Sequence, residues 1–188
     1  MSILNFQKPD KILLQKATDF QGQFEFKPLE PGFGQTIGNS LRRILLSSLE
    51  GYAVSAIRIA GVDHEFSSIP GVVEDVVDII LNIKQIRLKS AIKGDKATEH
   101  QIYLTISGQD EFRAKDIESR TNVFKVMNPE LLICKMEPSV NLELEMTITK
   151  GRGYVPAEDN MPENAPIGVI PVDAIYTPIK KVSYHVSN

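Results

Sequence analysis

Residues 33–49 constrain the fold most, because their apolar side chains recur at helical spacing directly after a glycine turn. With about 100° between successive residues, these side chains cover an arc of about 140°, against the roughly 100° that a helix needs to cover one core. The members of this arc are Ile37, Leu41, Ile44, Leu45 and Leu49. The pattern predicts one helix that packs against two surfaces: the sheet of its own chain, and a second helix or another chain.

Gly38 lies inside the apolar arc, where glycine costs about 1 kcal/mol relative to alanine. We expect another backbone to approach there and offset that cost. Asn39, Ser40, Arg43 and Ser47 lie on the opposite, polar side. Arg42 falls at the border, where we expect its stem to cover apolar surface. We interpret Arg43 as accessible to an outside partner, although the helix alone also fits two ordinary solvated arginines.

The composition is that of a globular protein with one large or two small domains in 188 residues. A net charge of −3 argues against nucleic-acid binding by bulk electrostatics and leaves a local basic patch open. Cys134 is the single cysteine, which excludes an internal disulfide, and its apolar neighbours predict a buried thiol. We find no signal peptide and no apolar run near the ~18 residues of a membrane span. These features predict a cytoplasmic protein.

Runs of strands around two separated helices predict the α+β class. Residues 12–17 and 23–29 read as a hairpin, and Gly51 is expected to end the first helix. A second helix is predicted over residues 72–83. Its carboxylates Glu74, Asp75 and Asp78 suit the helix dipole or face a partner. Further strands are predicted over residues 52–61, 62–66, 86–92, 101–107, 131–136, 140–149, 167–170 and 175–186, with a charged turn at 93–99 and an exposed loop at 157–166. The alternation in residues 142–148 indicates an antiparallel strand with one wet face.

Motifs for catalysis or cofactor binding are missing from the sequence. The glycines of residues 32–38 have the spacing G-x-G-x-x-x-G rather than that of a dinucleotide loop. His64 lacks a second histidine at metal-ligand spacing, and no nucleophile elbow is present. The residues therefore predict no catalytic residue, no metal and no cofactor, and favour an interaction or scaffolding protein over a self-sufficient enzyme.

Six motifs resemble, in order, the amino-terminal domain of the bacterial DNA-directed RNA polymerase alpha-subunit family. They are residues 28–48 (PLEPGFGQTIGNSLRRILLSS), 61–66 (GVDHEF), 71–76 (GVVEDV), 81–84 (LNIK), 151–157 (GRGYVPA) and 172–178 (VDAIYTP). The resemblance extends from about residue 5 to residue 186.

The resemblance implies a discontinuous dimerisation domain of residues 1–50 plus 173–188 and an inserted β-rich domain of residues 51–172. In this family two alpha subunits dimerise and nucleate assembly of the polymerase, one binding the beta subunit and the other beta-prime. The chain would thus be part of a nucleotidyltransferase that serves transcription while carrying no catalytic residues itself. The resemblance implies neither direct DNA binding by this piece nor a membrane partner.

The family's contacts can be carried over to matching residues. The dimer interface would comprise Phe33, Ile37, Gly38, Leu41, Ile44, Leu45 and Ser48. The beta-subunit contact would comprise Asn39, Arg42, Arg43 and Ser47. The beta-prime contact would comprise Asp78, Lys84, Val172 and Asp173.

The sequence ends before the long helix that completes the family's dimerisation domain, and before its linker and carboxy-terminal domain. We therefore expect residues 1–188 alone to dimerise poorly or to aggregate. Two alternatives stay open: a free-standing homodimeric adaptor of similar fold, and a small enzyme with a site around His64, Glu65 and Arg152.

Overall fold

The computed structural model describes residues 9–92, 94, 97–161 and 165–187. The helices are α1 (Phe33–Ser47), α2 (Val76–Ile83), α3 (Ala114–Glu118) and a 3-10 turn at Ala157–Asn160. The strands are β1 (Lys11–Ala17), β2 (Gly22–Lys27), β3 (Glu50–Ile59), β4 (Leu88–Ser90), β5 (Glu99–Ser107), β6 (Glu111–Arg113), β7 (Phe124–Val126), β8 (Leu132–Lys135), β9 (Asn141–Arg152), β10 (Tyr154–Val155), β11 (Val169–Pro171) and β12 (Ala174–Ile175). None of the described helices is both long and apolar enough to cross a membrane.

The chain divides into two compact units. The small unit comprises Met1–Leu45 with Lys181–Asn188, and the large unit comprises Leu46–Lys180. The boundary falls inside α1, so the last residues of that helix belong to the large unit.

The small unit contains the predicted hairpin, in which β1 pairs antiparallel with β2. Ile12 lies opposite Phe26 and Leu14 opposite Phe24, so these four side chains share one face. Among the described residues of this unit, every side chain is exposed or half-buried. The described residues of the small unit therefore form apolar faces but no buried core.

The large unit is built on a curled antiparallel sheet in the order β5-β9-β3-β4-β7, and β11 also pairs with β3. β9 alternates as predicted, because Leu142, Leu144, Met146 and Ile148 are buried between exposed or half-buried residues. Helix α2 packs Val76, Ile79 and Ile83 into the same core. This arrangement confirms the α+β class.

The first helix ends at Ser47 and not at Gly51, which lies in β3. A Cβ at position 51 would overlap the carbonyl oxygen of Tyr176, so this glycine lets another backbone segment approach β3 closely and does not end a helix.

The second helix begins at Val76 rather than Val72. Gly71 has a φ of 78°, and Val72 then forms an isolated bridge with Met136. The Val73 N–H donates to the carbonyl of Lys135 at 2.9 Å. Pairing with the chain at the end of β8 therefore keeps the start of the predicted segment out of the helix.

Three other predictions were wrong in extent. Residues 62–66 contain no strand and end in a turn at 65–66, and the strand predicted over 86–92 is limited to β4. Only β12 forms where residues 175–186 were expected to be a strand, and residues 177–187 have no strand. The short elements β6, α3, β7 and β10 were not predicted. The predicted turn at 93–99 and loop at 157–166 lie partly outside the described residues, at 93, 95, 96 and 162–164.

Candidate functional site

The apolar side of α1 is only partly covered in the small unit. Ile37, Gly38, Leu41 and Leu45 are half-buried. Phe33 is 41% exposed and Ile44 is 52% exposed. Ser48, the last residue predicted for the dimer interface, is exposed just beyond the helix. The predicted interface thus follows one helix face that retains substantial apolar surface.

The segment of residues 181–187 packs against this helix. A Cβ at Gly38 would overlap the ring of Tyr184, and one at Gly34 would lie 2.7 Å from Cγ1 of Val186. The Tyr184 hydroxyl donates to Oε1 of Gln35 at 3.1 Å. The group that approaches Gly38 is therefore an aromatic ring of the same chain, and the prediction of another backbone at this position was wrong. The spacing of Gly34 and Gly38 by four residues was the available signal for this contact.

The polar side of α1 presents the residues predicted to bind the beta subunit. Asn39, Arg42, Arg43 and Ser47 are all exposed. Arg42 lies beside Lys181–Val186 in a shallow groove, in agreement with its predicted place at the border of the apolar arc. The Ser47 and Ser48 hydroxyls lie 3.2 Å apart. The helix therefore offers an apolar side and a polar, cationic side.

A second cluster forms in the large unit around Asp173. The Lys84 ammonium lies 2.8 Å from Oδ2 of Asp173, and the Ala157 N–H donates to Oδ1 at 3.0 Å. These two contacts, with Lys84 the stronger, lower the pKa of Asp173. The pKa of the Tyr154 phenol is raised, first by its partial burial and second by its hydrogen bond with Asp173. Asp173 thereby links the end of α2, β10 and the 3-10 turn.

An apolar groove of about 340 Å³ lies beside this cluster. Its apolar lining includes Val77 and Leu81 of α2, which stay 37% and 46% exposed. Lys84, Asp173 and the carboxylate residues Glu65 and Glu158 also line it. No role at such a groove was predicted for Glu65 and Glu158, because its lining residues lie in four separate segments, at 65, 77–84, 157–158 and 170–173, that meet only in the folded chain.

The residues predicted to bind beta-prime are distributed unevenly around this groove. Lys84, Val172 and Asp173 line it, whereas Asp78 is exposed on α2 and does not line the groove. The Val172 side chain is fully buried, and its backbone is held by Ser55 and Asn160.

The structure does not gather the residues of the alternative enzyme site. Arg152 pairs with Glu50 at the start of β3. His64 contacts Ser67, with 3.2 Å between Nδ1 and Oγ, and lies a few residues beyond the end of β3. A ten-residue strand spans about 33 Å. The two groups therefore lie towards opposite ends of that strand.

Two other titratable groups have perturbed pKa values. Hydrogen bonds from Arg152 and Lys150 lower the pKa of the exposed Glu50 to about 2. Burial, reinforced by Glu74, raises the pKa of the Cys134 thiol to about 12. Both effects fit structural roles. Within the described ranges, no three His, Cys, Asp or Glu side chains are grouped so that they could hold a metal ion.

Comparisons with known proteins agree with the sequence motifs. Residues 57–177 match the family model of the RNA polymerase Rpb3/RpoA insert domain. The chain is 56% identical over 188 residues to the DNA-directed RNA polymerase subunit alpha of Cytophaga hutchinsonii and 55% identical to that of Flavobacterium psychrophilum. The subunit of Bacteroides fragilis is 53% identical over the same length. Each match covers 100% of this chain and 56% of the relative, so the chain spans about half the length of these relatives. The chain belongs to the family of bacterial RNA polymerase alpha subunits.

Proposed function

We propose that this chain is the assembly region of an alpha subunit of DNA-directed RNA polymerase, which homodimerises and binds the beta and beta-prime subunits. Residues 1–50 with 173–188 would form the dimerisation domain, and residues 51–172 the inserted domain. The catalytic residues of the polymerase would lie in other subunits, and this region would act in the cytoplasm as a scaffold without contacting DNA.

One observation carries the dimerisation proposal: none of the described residues of the small unit is buried, although its hairpin and helix are rich in apolar side chains. Ile12, Leu14 and Phe24 are each more than half exposed, as is Ile44 of α1. Apolar surface of this extent on a folded protein marks an interaction site. A second alpha subunit that packs against α1 would remove this surface from water.

The polar side of α1 supports the proposed beta-subunit contact. Arg42 and Arg43 project from a helix whose apolar side would be occupied by the dimer, so one helix can serve both contacts. Arginine is well suited to such a surface, because its guanidinium binds carboxylates in a fixed, bidentate geometry.

The cluster around Asp173 supports the proposed beta-prime contact. Its ion pair with Lys84 is only partly exposed, and it fixes two charged groups beside the apolar groove. Since the Val172 side chain is buried, Lys84 and Asp173 would make the side-chain contacts with beta-prime. Val172 would contribute to the core on which they rest.

Co-purification tests the proposal directly. A full-length alpha subunit carrying this sequence is co-expressed with its beta subunit, as wild type and as Arg43→Ala. Arg120→Ala, which removes an exposed arginine of the large unit, is the matched control. We expect wild type and the control to retain beta and Arg43→Ala to lose most of it. Failure of the wild-type subunit to bind beta would reject the assembly function. Full binding by Arg43→Ala would reject only the placement of the contact on the polar side of α1.

A further inference from the structure

The groove beside α2 combines an apolar floor with a predominantly negative edge. Val77 and Leu81 present one turn of α2 to the groove, and Pro171 of β11 also lines it. The exposed fractions of Val77 and Leu81, 37% and 46%, are large for aliphatic side chains on a helix that otherwise packs into the core. This floor can accommodate an apolar side chain from outside.

The charges around the groove are three carboxylates and one ammonium: Glu65, Glu158 and Asp173 against Lys84. Lys84 is engaged by Asp173 at 2.8 Å, so this pair contributes little net charge. Glu65 and Glu158 then set the sign of the electrostatic potential at the groove. Within the described part of the chain, neither of these two carboxylates has an ion-pair partner.

We propose that this groove binds a segment of the beta-prime subunit in which a large apolar side chain is adjacent to a lysine or arginine. The apolar side chain fills the floor between Val77 and Leu81, and the basic side chain pairs with Glu65 or Glu158. This inference rests on the proposed function, because it specifies the chemistry of the partner at the beta-prime contact. Charge complementarity at an interface steers association and fixes register, whereas burial of the apolar anchor contributes most of the affinity.

The same charges disfavour two other classes of occupant. A phosphate group or a nucleic acid would meet Glu65 and Glu158 and be repelled. An acidic peptide would be repelled for the same reason. An apolar segment with basic neighbours is complementary to both the apolar floor and the acidic edge of the groove.

The test separates the apolar and the charged contributions in the assembled polymerase. Full-length alpha subunits are co-expressed with beta and beta-prime, and the amounts of both large subunits retained on alpha are measured. Leu81→Asp tests the floor, and Val73→Asp is its matched control, since Val73 is a 75% exposed aliphatic residue that does not line the groove. The double variant Glu65→Lys, Glu158→Lys tests the edge, and Glu99→Lys on β5 is its control.

We expect Leu81→Asp to weaken retention of beta-prime about tenfold or more, since it places a charge where an apolar anchor would be buried. The double charge reversal should reduce beta-prime retention at low salt and less so at high salt, because salt screens exposed charges. Leu81→Asp and the double charge reversal should both retain beta normally. That result would show that folding and dimerisation are intact.

Three results would overturn the inference. In the first, Leu81→Asp and the double reversal retain beta-prime like their controls while Lys84→Ala loses it, which places the contact at the ion pair and not at the apolar floor or the two glutamates. In the second, the double reversal strengthens retention, which assigns an acidic partner segment. In the third, the groove variants lose beta as well as beta-prime, which shows a structural role for the groove. Failure of the wild-type subunit to retain either large subunit would instead reject the proposed function.

Discussion

The ring of Tyr184 lies directly against Gly38 of α1, a position of the apolar arc that has no side chain. A hydrogen bond from the Tyr184 hydroxyl to Gln35 holds the ring there. The glycine that weakens the helix thereby makes room for an aromatic contact within the small unit.

Gly38→Ala should exchange one stabilising effect for another. Alanine favours the helix by about 1 kcal/mol, but its Cβ displaces the Tyr184 ring, which is 40% exposed and can turn outward. We expect the free energy of unfolding to change by less than about 1 kcal/mol, while amide exchange in residues 181–187 accelerates. Unchanged exchange in that segment would show that Tyr184 does not depend on the glycine.

Gly51→Ala should be far more damaging than Gly38→Ala. The added Cβ would overlap the backbone carbonyl of Tyr176, which cannot turn away as a side chain can. We expect a loss of about 3 kcal/mol, at the upper end of the range for overpacking, measured by urea unfolding. Equal effects of the two substitutions would contradict the close approach of Tyr176 to β3.

Glu50 should give the chain a pH dependence in the acidic range. Its pKa is lowered from 4.5 to about 2 by Arg152 and Lys150, so the unfolded chain takes up the proton first as the pH falls. The stabilisation is complete above pH 4.5 and is lost between there and pH 2. Glu50→Gln should flatten the melting temperature against pH in that window, whereas the control Glu99→Gln should not. A Glu50 pKa near 4.5 in an NMR titration would show that the ion cluster does not form in solution.

Cys134 should resist thiol reagents in the folded chain. Its side chain is fully buried and burial raises its pKa to about 12, so almost no thiolate is present at neutral pH. As the single cysteine, it gives an unambiguous readout with a disulfide reagent. We expect full reaction in denaturant and slow reaction, limited by unfolding, in buffer. Rapid reaction of the native chain would place Cys134 outside the core.

Long elements with a clear period could be predicted from the sequence. β9 alternates without interruption and its apolar residues are buried, so local pattern and tertiary packing agree there. The buried Cys134 was predicted from its apolar neighbours for the same reason. α1 forms over its helical periodicity although none of its residues is buried.

The errors arose where tertiary contacts override the local pattern. Val182, Tyr184 and Val186 alternate as in a strand, yet Tyr184 and Val186 pack on glycines of α1 instead of adding to a sheet. Residues 72–75 have helical periodicity but are kept out of the helix by pairing near β8. The groove beside α2 could not be predicted, because its members come from four separate segments of the chain.

The most direct test of the proposed role is the oligomeric state of the full-length subunit when the apolar side of α1 is altered. Sedimentation velocity at micromolar concentration would compare wild type with Ile44→Glu, which places a charge on the exposed apolar side, and with Arg120→Ala as control. We predict a dimer for wild type and control and a folded monomer for Ile44→Glu, which would also fail to retain beta and beta-prime. A stable dimer of Ile44→Glu, or a monomeric wild-type subunit, would contradict the assignment of this face to the dimer interface.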